Sequence, residues 1–125
     1  MLPCLNESET LSICIKKAKN QIKTLKIKGE ILIADNGSTD GSIKLAKKLG
    51  ARVIHVKNKG YGHALRAGIK NAKGKYILIA DSDDSYNLND LPKFYKKIKK
   101  GYDIVQGCRL PKGGGKINKG AMPIT

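Results

Sequence analysis

Three carboxylates stand within four positions at Asp81, Asp83 and Asp84, directly after the apolar run Ile77-Leu78-Ile79-Ala80. Asp81 and Asp83, two residues apart in a turning loop, can aim at one hard cation and one ligand hydroxyl, because such cations take oxygen donors. A second polar cluster, Asp35-Asn36-Gly37-Ser38, ends another apolar run. A short acid such as Asp35 can accept hydrogen bonds from a base or ribose, while Gly37 lets a ligand approach the backbone. Each cluster also has a purely local explanation. Asp84, Ser85 and Asn87 can form a loop and cap the next helix, and Asp35 can close an Asx turn with Asp40 as a first-turn acid.

The elements that must position these acids follow from periodicity. Leu11, Ile15, Ala18, Ile22 and Leu25 recur at helical spacing behind a cap at Ser8 or Thr10. Residues 30–34 read as a strand, and a helix then runs to Leu49 and Gly50. Residues 52–56 form a further strand, and Gly60-Tyr61-Gly62 opens a helix reaching Ala72. Residues 77–80 read as a strand buried on both faces, followed by a helix over 88–100 with Pro92 in its first turn. Residues 102–105 begin a last strand. Strands alternating with helices predict an α/β domain: a mostly parallel, Rossmann-like sheet with helices on both faces. Open parallel sheets bind ligands beyond the carboxyl ends of their strands, which is where both acidic clusters fall. The first strand of such a sheet looks largely missing, since only residues 1–5 precede the first helix, and both chain ends look cut.

The chain has 125 residues, enough for one domain spanning 1–125, with a Gly/Lys-rich tail over 110–125. Lys and Arg number 25 against 10 Asp and Glu, a formal charge of +15 that points to an anionic partner or to a solvated basic exterior. Cys4, Cys14 and Cys108 have no Cys-x-x-Cys spacing and read as reduced thiols of a cytoplasmic protein. No apolar run approaches the about 20 residues that span a bilayer, so a soluble or peripheral protein is expected. His55 and His63 read as structural.

In order along the chain, Pro3-x-Leu5-Asn6-Glu7, Ala34-Asp35-Asn36-Gly37-Ser38-Thr39-Asp40, Gly60-Tyr61-Gly62, Asp81-Ser82-Asp83 and Gly107-Cys108-Arg109 together resemble the family-two glycosyltransferases of GT-A fold. Asp84-Ser85-Tyr86 and the stretch ending Gly120-Ala121-Met122-Pro123 are similar to polyprenyl-phosphate sugar transferases related to dolichyl-phosphate mannose synthase. The resemblance implies that Pro3, Leu5 and Glu7 line the base and ribose pocket and that Asp35 contacts the base. It implies that Asp81 sits by the ribose, that Asp83 binds magnesium or manganese at the donor diphosphate, and that Arg109 contacts phosphate. Asp84-Ser85 stands where mannose synthases of this family usually carry Leu-Gln, which leaves the donor sugar open.

The activity implied is metal-dependent, inverting transfer of a hexose from a nucleoside-diphosphate sugar, UDP-hexose or GDP-mannose, to a dolichyl or undecaprenyl phosphate. The enzyme would work in the cytoplasm, peripheral to an anionic membrane surface. Two rivals belong to other classes. A sugar-phosphate nucleotidyltransferase should show a Gly-rich, basic loop after its first strand, and none is present. A nucleic-acid-binding module would interleave aromatic with basic residues, but aromatics make up only 5% of the chain, so no nucleic-acid partner is expected.

Overall fold

A computed structural model describes residues 1–108. Strand β1 (Leu2–Cys4) leads to helix α1 (Ser8–Thr24), β2 (Leu32–Asp35), α2 (Ser42–Lys48), β3 (Arg52–His55) and α3 (Tyr61–Asn71). A 3-10 turn at Leu88–Asp90 then runs into α4 (Leu91–Ile98). The strands form a three-stranded parallel sheet in the order β1-β2-β3. The expected α/β architecture is therefore present, with one correction at its start: the first strand is not missing. Three residues suffice for it because Leu2, Pro3 and Cys4 each find a parallel partner, in Ile33, Ala34 and Asp35.

Alternation along the strands separates two faces. On one, Leu2, Cys4 and Ile33 join Leu11, Cys14, Ile15 and Ala18 of α1 and Ala46 of α2 in a buried core. Each large aliphatic side chain sealed there contributes about 1.5–3 kcal/mol. On the other, α3 packs against β1 and β2 through its buried Ala64 and Gly68. A Cβ at Gly68 would lie 2.6 Å from the Met1 sulfur, so a larger residue there would have to displace the Met1 side chain.

Two expected strands are absent among the described residues. Residues 77–80 run beside Met1, whose ammonium donates to the Leu78 carbonyl at 2.7 Å and whose carbonyl accepts from the Ala80 N–H at 3.3 Å. Those two bonds do not extend into a ladder, because the next residue of β1 in register is Pro3, which has no N–H to donate. Nor is the segment buried on both faces: Leu78 and Ala80 face the core, while Ile77 and Ile79 are 40% and 44% exposed. Residues 102–105 likewise lack strand pairing, and Ile104 is 83% exposed. Apolar character placed both segments as strands, but a strand exists only where a neighbour completes its hydrogen bonds.

The cap of α1 also differs from expectation. Neither Ser8 nor Thr10 caps it; the Ser8 N–H donates to Asp40 at 3.0 Å and the Glu7 N–H to the Ser42 hydroxyl at 3.2 Å. The loop after β2 thus serves as the cap.

At the other edge of the sheet, Arg52 grips Glu30 through two hydrogen bonds of 2.8 Å and reaches the Asn71 carbonyl at 2.7 Å, while the Lys73 N–H adds a third donor to Glu30. The Arg52 hydrogen bonds, against some burial, hold the Glu30 carboxyl down from 4.5 to about 2. A depressed folded-state value means this contribution is complete above about pH 4.5 and is lost as pH falls toward 2. Glu30→Gln should therefore flatten the decline of the melting temperature across that window. An acid limb as steep as that of the unsubstituted protein would refute the assignment.

Candidate functional site

The loops that leave the carboxyl ends of the strands enclose a cleft of about 380 Å³. Leu5 and Glu7 enter it after β1, Asn36 after β2, Lys59 and Gly60 after β3, Tyr61 and Ala64 from the start of α3, and Asp81 and Asp83 from the segment beyond Ala80. Pro3 completes the wall from within β1. Parallel pairing brings segments far apart in sequence to one edge of the sheet, as the doubly wound geometry requires.

Ser82 sets the direction of its two acidic neighbours. It is buried, its hydroxyl donates to the Pro3 carbonyl at 2.8 Å, and its own carbonyl accepts from the Thr10 hydroxyl at 2.7 Å. With Ser82 turned inward, Asp81 and Asp83 both line the cleft. Asp81 accepts from the Tyr61 hydroxyl at 2.7 Å, and that hydrogen bond, with desolvation, pushes the phenol up to about 12. Asp83 accepts from the Ser85 N–H at 2.9 Å. Asp84 leaves the cluster: in the left-handed region at φ 59°, it ion-pairs with Lys17 at 2.9 Å. Asn87 caps the 3-10 turn by accepting from the Asn89 N–H at 3.1 Å.

The second acidic cluster is arranged differently. Asp35 is 1% exposed and lies outside the cleft wall. Its carboxylate accepts from the Gly37 N–H at 3.0 Å and the Ser38 N–H at 3.2 Å, closing the turn, with His55 Nδ1 at 3.9 Å. Gly37 sits at φ 102°, a conformation that favours glycine. Asn36 is the residue of this loop that reaches the cleft. Its amide donates to the Val56 and Asn58 carbonyls at 3.2 and 2.9 Å and accepts from the Gly60 N–H at 2.7 Å, joining the loops after β2 and β3. Further along the loop, Asp40 is held well below the usual carboxylate range by the Ser42 hydroxyl and the Ser8 and Ser42 N–H groups.

Sequence reasoning thus brought Pro3, Leu5, Glu7, Asp81 and Asp83 to one place and assigned no role to Asn36, Lys59, Tyr61 or Ser82. Tyr61 had a signal in the glycines that flank it; Ser82 had none, because its importance lies in which way it points. Arg109 and the tail over 110–125 lie outside the described residues. Among the described residues, no three His, Cys, Asp or Glu side chains gather closely enough to hold a metal ion by themselves. A single carboxylate such as Asp83 suits a cation whose remaining positions are filled by water and by phosphate oxygens of a ligand, as magnesium commonly accepts.

Comparison with known proteins bears on this cleft. The family model described as glycosyl transferase family 2 matches residues 1–122. The chain is 36% identical over 124 residues to the low-salt glycan biosynthesis hexosyltransferase of Haloferax volcanii, covering 98% of this chain and 29% of that protein. It is 40% identical over 86 residues to the dolichyl-phosphate hexose transferase of the same organism, covering 69% of this chain and 37% of that protein. Among solved structures, glucosyl-3-phosphoglycerate synthase from Mycobacterium tuberculosis, in complex with Mn2+, uridine diphosphate and phosphoglyceric acid, superposes with a TM-score of 0.70 at 27% identity. That match covers 82% of this chain and 39% of the synthase. The chain therefore spans well under half the length of each of these three relatives.

The Ser82 anchor is open to direct measurement. Ser82→Ala strands a buried carbonyl and should cost about 1–3 kcal/mol of unfolding free energy in urea titration. Ser85→Ala, at an exposed position whose N–H contact survives the change, should stay within about 0.5 kcal/mol. Equal costs in the two variants would remove Ser82 from its anchoring role.

Proposed function

Because the chain belongs to glycosyl transferase family 2, we propose that its cleft binds a nucleoside-diphosphate sugar, UDP-hexose or GDP-mannose, for inverting transfer of the hexose to a polyprenyl phosphate. The observation that carries this reading is the pairing of Asp81 and Asp83 on one cleft wall with Pro3, Leu5 and Glu7 lining the same space. Pro3 and Leu5 offer apolar contact to a base, and Glu7 and Asp81 offer acceptors for ribose hydroxyls. Asp35 acts on the base side through the turn it closes, and Gly37 leaves the backbone there open to close approach.

Asp83 would hold magnesium or manganese, since both ions take oxygen donors and share their coordination with diphosphate. When bound, such a cation neutralises charge on the departing nucleoside diphosphate. Arg109 is assigned to phosphate contact, which a guanidinium makes bidentately. The acceptor needs little activation. A phosphate monoester with a second pKa of about 6 is already largely dianionic near neutral pH. Its oxygen attacks the anomeric carbon as the bond to the diphosphate breaks, which inverts the centre and requires no strong general base.

The similarity to a dolichyl-phosphate hexose transferase supports a lipid phosphate acceptor. A second reading, a small phosphorylated acid as acceptor, is favoured by the similarity to a synthase solved with phosphoglyceric acid. No helix among the described residues is long and apolar enough to cross a membrane. We place the protein peripherally on the cytoplasmic face of an anionic bilayer, with Lys96, Lys97, Lys99 and Lys100 supplying about 1 kcal/mol each near the surface.

Calorimetry with UDP-glucose and GDP-mannose tests the donor site. Asp83→Asn should weaken manganese-dependent binding roughly tenfold or more, a loss of about 1.4 kcal/mol or greater. Asp90→Asn, which breaks only a surface pair with Lys93, should leave binding unchanged. Equal, metal-independent affinity in both variants would sink the assignment. Transfer assays offering polyprenyl phosphate and 3-phosphoglycerate side by side decide the acceptor.

A further inference from the structure

Tyr61 opens α3 and is 57% exposed, so packing does not account for its placement. Its hydroxyl nevertheless donates to Asp81 Oδ1 at 2.7 Å, linking two segments that both line the cleft. Tyr61 is itself held from behind. Asn36 grips the Gly60 N–H at 2.7 Å, and Gly60 adopts φ 127°, which turns the chain into α3 with the phenol directed at Asp81. The hydrogen bond to Asp81 is thus the last of a series that begins in the loop after β2. The other oxygen, Asp81 Oδ2, has no protein hydrogen-bond partner among the described residues.

A carboxylate on a loop rotates about two side-chain bonds, and an acceptor that must be ordered on binding loses affinity to that ordering. Tying one oxygen gives the other a set direction. A phenol does this without cancelling the charge, as a lysine or arginine in its place would, so Asp81 remains a strong acceptor. We infer that Tyr61 is a positioning residue for the nucleoside, holding Asp81 by Oδ1 so that Oδ2 receives a ribose hydroxyl. This rests on the donor reading above and adds to it a residue that selects ribonucleotides over their deoxy forms.

The test is calorimetry in manganese with UDP and GDP as probes, together with their 2′-deoxy and 3′-deoxy forms. The proteins compared are the unsubstituted chain, Tyr61→Phe, and Tyr76→Phe, whose ring packs edge-on against Tyr95 away from the cleft. Tyr61→Phe should bind the ribonucleotide about five- to tenfold more weakly, yet match the unsubstituted protein within about twofold for at least one deoxy form. In turnover, the loss should fall on the KM for the donor and spare kcat, the pattern of an interaction made equally in ground and transition states. Tyr76→Phe should match the unsubstituted protein throughout. An equal loss for ribo and deoxy probes would reduce Tyr61 to general scaffolding and overturn the inference. So would unchanged or tighter ribonucleotide binding by Tyr61→Phe, because the hydrogen bond would then be a latch that the ligand must break. Failure of the unsubstituted protein to bind either diphosphate would overturn the donor reading, and this inference with it.

Discussion

The hydrogen bond from the Ser82 hydroxyl to the Pro3 carbonyl joins the two ends of the described core and decides which way the acidic loop faces. Ser82 is buried in a turn and anchored at both its hydroxyl and its carbonyl, and Asp81 and Asp83 on either side of it line the cleft. Thr10 reinforces the arrangement by donating to the Ser82 carbonyl, which fixes the loop to the first turns of α1. Both bonds are local in space and remote in sequence, and without them the two carboxylates have no reason to share a wall.

The loop after β2 plays the complementary part. Asp35 spends its charge on the Gly37 and Ser38 amides, Asn36 ties this loop to the one after β3, and Asp40 with Ser42 caps α1. A short stretch of polar residues thereby satisfies the backbone of three neighbouring segments. Buried polar groups demand partners, so such a network is rigid once complete. The cost is that Asp35 has no oxygen directed into the cleft. Its chemistry is that of a turn, and its influence on a ligand runs through the backbone it shapes.

The basic surface belongs to a different scale. Five lysines of residues 91–100 lie on or just beyond α4, away from the cleft. Three tyrosine rings, Tyr76, Tyr95 and Tyr102, each carry a lysine ammonium at 5.3 to 5.4 Å. The lysines of α4 and the cleft, which has Lys59 of its own, are thus physically separate features among the described residues.

Much of this architecture was legible in the residues. Periodicity located α1, β2, α2, β3 and α3, and turn chemistry put the Asp35 cluster at the end of β2, because local preference and burial agree there. The ordered motifs carry the family resemblance by themselves. Tertiary structure alone decided the rest. Ile77 and Ile79 read as buried but stand exposed, because strand formation depends on a neighbour that composition does not reveal. Asp35 and Asp81 look alike in sequence, both ending apolar runs. One is sealed by the amides of its own turn and the other is held toward open space by Tyr61. Residue type and spacing determine what an acid can do; the hydrogen-bond partners that folding brings from elsewhere in the chain decide whether it is free to do it.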